Sequence, residues 1–190
     1  MARRRTAARR RLGRDAWILA ARDAIVHGGV EQVKIERLAA HLGATRAAFY
    51  YHFNNRQQLL DELLDYWRTT NTRMFHTALD ERAGKPMERM QNLVRLWIEE
   101  REYSPAFDSA VRDWARVSPA VAKTVKRVDR ERIMLLKKIY LELGFKDTEA
   151  FIRARITYFH QVGYYTLGLD ETRKRRKQLA FLYIKALVGK

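Results

Sequence analysis

The stretch that most constrains this chain runs from residue 33 to residue 60, VKIERLAAHLGATRAAFYYHFNNRQQLL. Ile35, Leu38, Ala39 and Leu42 recur at i, i+3, i+4 and i+7, the apolar stripe of a short helix. Gly43 follows where a helix end favours a residue free to take positive φ. Thr45 offers a side-chain oxygen to cap a second helix, whose inward residues are Phe49 and Phe53. The small Ala39 lets the two helices cross closely. Asn54 and Asn55 end the second helix and cap a third, which opens at Arg56 and carries Leu59, Leu60, Leu63 and Leu64. Two short helices joined by a turn containing glycine make the helix-turn-helix pattern.

The side chains left over on the second helix give that pattern its chemistry. Arg46 can pair bidentately with guanine in a major groove, and the Ala48 methyl can meet the methyl of thymine. Thr45, Tyr50, Tyr51, His52 and Arg56 are donors or cations suited to holding phosphates and fixing register. The plainer alternative is a polar surface helix in a helical protein.

The run Phe49, Tyr50, Tyr51, His52, Phe53, followed by Asn55 and Arg56, resembles the end of the N-terminal signature of the tetracycline-repressor (TetR) family of bacterial transcription regulators. The resemblance covers about residues 14–64; beyond them it is one of architecture. Two positions depart from the family pattern. Lys34 stands where Thr or Ser usually caps the first helix, although a lysine still reaches a phosphate. Ala47 stands where Gly is usual early in the recognition helix. The resemblance implies an all-α chain of about nine helices. A basic arm (1–13) leads into a three-helix DNA-binding domain (14–55), and a helical ligand-binding and dimerisation domain (56–190) follows. It also implies palindromic double-stranded operator DNA, a homodimer, an unidentified small-molecule inducer and, most commonly, repression.

The rest of the chain is compatible with that reading. Three prolines and nine glycines in 190 residues leave little material for turns, as an all-helical fold requires. Lys and Arg outnumber Asp and Glu by 38 to 22, and the net +16 favours polyanionic partners. With no cysteine, the chain has neither a disulfide frame nor a thiolate metal site, which fits a reducing cytoplasm. No apolar run approaches the ~20 residues that span a bilayer, so a soluble cytoplasmic protein with no membrane partner is expected. Arg3, Arg4, Arg5, Arg9, Arg10 and Arg11 read as an arm that is solvated when free and tracks phosphates or enters the minor groove on DNA.

Helical periodicity continues through residues 12–26, which brace the helix-turn-helix, and then over 56–83, 87–103, 105–117, 119–143, 148–167 and 171–188. The 56–83 helix, ~40 Å long at 1.5 Å per residue, would join the two halves. A ligand among the middle helices could tilt it and move paired recognition helices off their spacing of ~34–36 Å. Ser104-Pro105 and Ser118-Pro119 start helices because serine caps and proline is tolerated at the first position. In the last two helices Ile152, Ile156, Phe159, Gly163 and Leu167 mark one face, and Ala180, Tyr183, Ile184 and Leu187 another. These are the candidates for a four-helix dimer interface, unless both faces are spent inside one chain. Five cations in Arg173 to Lys177 oppose the helix dipole and read as a solvated face, with a bound anion as the alternative.

Candidates for a ligand cavity are Trp97, Tyr103, Phe107, Trp114, Tyr140, Phe159, His160 and Tyr164, each of which core packing would equally explain. The chain lacks a His-Glu-x-x-His or Glu-x-x-His metal pair, a Walker phosphate loop and a G-x-S-x-G elbow. No enzyme, cofactor or metal is therefore expected. An enzyme with an unrecognised helical site stays as the remote alternative. A non-specific architectural DNA-binding protein is the nearer one, but it would not need a polar-aromatic recognition helix.

Overall fold

The computed structural model describes residues 12–101 and 103–189, so the arginine arm of residues 3–11 lies outside the described residues. Among the described residues the chain is a series of nine α-helices. It divides into two compact units, Met1–Tyr66 and Trp67–Lys190, with the division falling inside the fourth helix.

In the first unit, α1 (Arg14–Gly28), α2 (Ile35–His41), α3 (Arg46–Tyr50) and the start of α4 (Arg56–Leu79) close around Trp17, Ile25, Val33, Leu38, Phe49, Phe53, Leu59 and Leu63, all nearly inaccessible to solvent. The aromatic spine is specific. Trp17 meets Phe49 edge-on at 5.3 Å between ring centres, and Phe49 stacks on Phe53 at 5.3 Å. Such pairs contribute about 0.5–1.5 kcal/mol beyond the area they bury. Arg14 at the start of α1 lies over the Phe53 ring at 4.5 Å and donates from Nε to Glu62 at 2.7 Å, tying α1 to α4.

The second unit contains the remainder of α4 with α5 (Pro86–Glu99), α6 (Pro105–Val117), α7 (Pro119–Glu142), α8 (Asp147–Thr166) and α9 (Arg173–Val188). Its core gathers Phe75, Met90, Leu93, Trp97, Tyr103, Leu136, Ile139, Tyr140, Ala154 and Tyr158. Ser104 caps α6 through the Phe107 amide at 3.3 Å, with Pro105 at the first helical position as the sequence predicts.

Three helices are shorter than their periodicity predicts. The helix expected over 56–83 stops at Leu79, because the Asp80 side chain accepts from the Arg82 amide at 2.8 Å and starts a separate 3-10 turn, Glu81–Ala83. A short acidic side chain competing for backbone donors ends helices in this way. The helix expected over 87–103 stops at Glu99, with Glu100 left-handed at φ +53°. α3 ends at Tyr50, and the His52 amide donates to the Phe49 carbonyl at 2.9 Å in a tightened last turn.

Candidate nucleic-acid interface and an interior cavity

The local sequence builds the α2–α3 corner largely as expected. Gly43 takes φ +60°, and the Ala44 amide closes the α2 terminus on the Ala39 carbonyl at 2.8 Å. Thr45 caps α3 by accepting from the Ala48 amide at 3.2 Å. Lys34 precedes α2 without a side-chain cap and is exposed, its ammonium free to turn outward. Asn55 Oδ1 caps α4 through the Gln58 amide at 2.9 Å.

With Phe49 and Phe53 locked inward, α3 presents its other residues. Tyr51 is 83% exposed and Tyr50 48%, and Arg46, Ala47 and Thr45 are exposed beside them, with Ala48 and His52 partly covered. The Arg46 guanidinium is held at 3.3 Å from Glu36 of α2 and 3.5 Å from the Tyr50 hydroxyl. A side chain with five donors in a planar fork is thereby extended before it meets a ligand. Arg56 departs from the phosphate-contacting role expected of it. Its Nε donates to the Val33 carbonyl at 2.6 Å and its Nη2 to the Val30 carbonyl at 2.8 Å, so it secures the 3-10 turn between α1 and α2.

The ligand candidates separate into three groups. Tyr103, Phe107, Trp114 and Tyr140 are buried in the packed interior, and none of them lines the cavity described next. Phe159 is 50% exposed on the outer face of α8. Trp97, His160 and Tyr164 line a cavity of about 60 Å³ between α5, α8 and α9, with Gln161, Arg176 and aliphatic side chains. Burial pushes the His160 imidazole below its ordinary pKa.

The dimer candidates separate as well. Ile152 (45% exposed), Ile156 (50%) and Phe159 stand outward on α8. Ala180, Ile184 and Leu187 turn inward onto the cavity, and Tyr183 rests 4.5 Å from the His160 ring. The exposed apolar face of α9 is instead Phe181 and Leu182, which the periodicity missed. Gly163 is half-buried, and a Cβ placed on it would meet nothing within 4 Å, so packing inside this chain does not require a glycine there.

Sequence reasoning also missed a buried ion cluster. Asp108 of α6 accepts from Trp67 Nε1 at 3.1 Å, Arg132 Nη1 at 3.0 Å and Arg112 Nε at 2.9 Å. Arg112 forks onto Asp129 at 2.7 and 3.1 Å, and the Tyr158 hydroxyl donates to Asp129 at 2.6 Å. Burial alone would raise the Asp108 carboxyl, but the two guanidiniums outweigh it and hold it below the usual carboxylate range.

The cluster from Arg173 to Lys177 is not the uniformly solvated face expected. Arg176 is largely buried and donates to the Trp97 carbonyl at 2.7 Å, ion-paired with Glu100, while Lys177 pairs with Glu99 at 2.8 Å. The end of α5 exposes unpaired carbonyls, and cations complete it. Arg173, Lys174 and Arg175 remain exposed.

A capped recognition helix with a polar-aromatic outer face, in a unit separate from a six-helix body, defines a helix-turn-helix protein. Residues 18–63 match the bacterial regulatory proteins of the tetR family. Over 77 residues the chain is 32% identical to the HTH-type transcriptional regulator TtgR of Pseudomonas putida; the match covers 40% of this chain and 37% of TtgR. The chain thus spans little more than a third of the length of the curated relatives it matches. Fold similarity extends further. A TetR transcription regulator from Haloarcula marismortui superposes with a TM-score of 0.70 at 22% identity, over 91% of this chain and 96% of that one. Escherichia coli NemR, in its reduced form, gives 0.74 at 11% identity, over 92% and 96%. The chain belongs to the tetR family of bacterial regulatory proteins. No described helix is long and apolar enough to cross a membrane.

Proposed function

We infer that the protein is a transcriptional regulator that binds a palindromic operator as a homodimer and is released from it by a small molecule. The DNA-binding role falls to residues 14–55, and regulation and dimerisation to 56–190. The observation that carries the reading is the outer face of α3, where Arg46, Tyr50 and Tyr51 are exposed while Phe49 and Phe53 fix the helix from behind. Positioning groups and a base-reading fork are combined there as sequence-specific readout demands. The dimer reading is supported by Ile152, Ile156, Phe159, Phe181 and Leu182, large apolar side chains exposed on the last two helices. The mid-helix Gly163 supports it too, since this chain gains nothing from omitting a Cβ there.

Competition between operator and random DNA tests the first half. Arg46→Ala should cost about 1–3 kcal/mol of discrimination at one operator position and leave the oligomeric state unchanged. Full discrimination by Arg46→Ala would remove the recognition face and the functional reading with it. Ile156→Glu with Phe159→Glu should yield monomers in sedimentation without unfolding α8, since both side chains are already exposed. A wild type that sediments as a monomer at micromolar concentration sinks the dimer.

A further inference from the structure

The cavity between α5, α8 and α9 has an unusual polar inventory. Trp97 and Gln161 are 4% and 7% exposed, and Trp97 Nε1 and Gln161 Nε2 are buried donors without a partner. Both residues line the cavity. An indole N–H can only donate, so whatever satisfies it brings an acceptor.

Neighbouring polar groups of the wall are already committed. Thr157 Oγ1 is shared with the Tyr140 hydroxyl at 2.7 Å and the Arg153 carbonyl at 2.9 Å. The Tyr164 hydroxyl donates to Glu171 at 3.2 Å. Arg176, the cation of the wall, is matched by Glu100. An anion would enter a place where the positive charge is neutralised and the Glu171 carboxylate is near; a cation would face two donors. An uncharged occupant avoids both costs.

Size narrows the class. On this measure one water needs roughly 10–15 Å³, and a benzene-sized ring has been held by a cavity of roughly 150 Å³. About 60 Å³ therefore accepts a compact group and not an aromatic ring. Val94, Ile98, Ala180, Ile184 and Leu187 make the rest of the wall aliphatic.

We propose that this cavity is the effector site, and that it takes a small, uncharged, branched aliphatic carbonyl compound such as a ketone or ester, whose oxygen accepts from Trp97 Nε1 and Gln161 Nε2. The site lies between the C-terminal part of α5 and α9, across the Arg176 clasp on the Trp97 carbonyl, and not among the middle helices where the ion cluster fills the interior. It rests on the ligand-responsive reading above, yet it can be tested with no DNA present.

The chain has four tryptophans, so its ¹⁵N spectrum has four indole signals, and Trp97→Phe identifies that of Trp97. The full chain is titrated with 3-methyl-2-butanone and, separately, with isobutyrate, which puts a carboxylate on the same branched frame. The ketone should move the Trp97 indole signal downfield in a saturable millimolar titration, with the other three still. Isobutyrate should bind about tenfold more weakly or worse. Gln161→Leu, read on the same signal, should weaken the ketone by about threefold to tenfold, the loss of one neutral hydrogen bond. The proposal is overturned if the ketone gives no saturable shift and the cavity holds water only, if isobutyrate binds as well as the ketone, or if Gln161→Leu titrates like the wild type. Because binding is read without operator, none of these failures touches the DNA-binding reading. Binding without operator release would instead count against ligand response.

Discussion

The ion cluster between α4, α6, α7 and α8 and the cavity between α5, α8 and α9 lie in one unit, share α8, and treat buried polar groups in opposite ways. In the cluster, Asp108 accepts three hydrogen bonds and Asp129 is gripped by both Arg112 and Tyr158. Even Arg132, whose Nε has no acceptor, lies 4.7 Å from the Phe75 ring centre. In the cavity, two donors are left open beside aliphatic walls. A satisfied network rigidifies and locks its helices together. Open donors beside empty space contribute nothing to the fold, so the helices that carry them are the ones a ligand can influence.

That contrast breaks first at Asp108. Asp108→Ala leaves Arg132 and the Nε side of Arg112 without their carboxylate and should destabilise the protein by about 3–5 kcal/mol, measured by urea denaturation. A loss under about 1 kcal/mol would mean the cluster is hydrated and the comparison misconceived. Tyr158→Phe removes one hydroxyl that bridges Asp129 and Arg112, and should cost about 0.5–1.5 kcal/mol. On the other side, Gln161→Leu should be neutral or stabilising by up to about 1 kcal/mol, because it removes a buried donor that bonds to nothing. A destabilisation there as large as that of Tyr158→Phe would show that the amide is already satisfied.

The sequence made the two regions unequally legible, for a physical reason. The first unit is built from local signals, namely the Gly43 turn, the Thr45 and Asn55 caps and the Phe49–Phe53 pair, each readable within a few residues. The ion cluster is long-range. Asp108 and Arg112 look like an ordinary i, i+4 surface pair until α7 is placed beside them. One signal was available: Arg132 falls four residues after Val128 and four before Leu136, on the stripe that also holds Val125 and Ile139, so it sits where an apolar residue belongs. α8 misled in the opposite sense. Its large apolar residues, Ile152, Ile156 and Phe159, face outward, while Ala150, Ala154, Thr157 and Gln161 are inside. Hydrophobicity marks a face to be covered without saying whether this chain or another covers it. Helix length depended on single side chains, Asp80 above all, that a periodicity averages away.

The smallest effect is a slope with pH, and it separates the two regions by the sign of proton uptake. His160 on the cavity wall is half-buried, against Tyr164 and Tyr183, and burial lowers its pKa. Below about pH 6.5 the unfolded chain gains a proton at this imidazole that the folded chain refuses, so stability falls as pH drops from about 6.5 towards the lower folded value. Asp108 moves the other way along the scale. Its folded pKa is depressed, so its contribution is whole above the unfolded value of about 3.9 and is lost only as pH falls through the folded one. Between pH 7.5 and 5 the cluster is therefore silent and the cavity is not. Comparing wild type with His160→Gln by urea titration across that range isolates the effect, since every other group is common to both. The wild type should lose stability relative to the variant as pH falls; parallel curves would mean the ring is hydrated in the folded state and the cavity wall is wetter than its aliphatic lining implies.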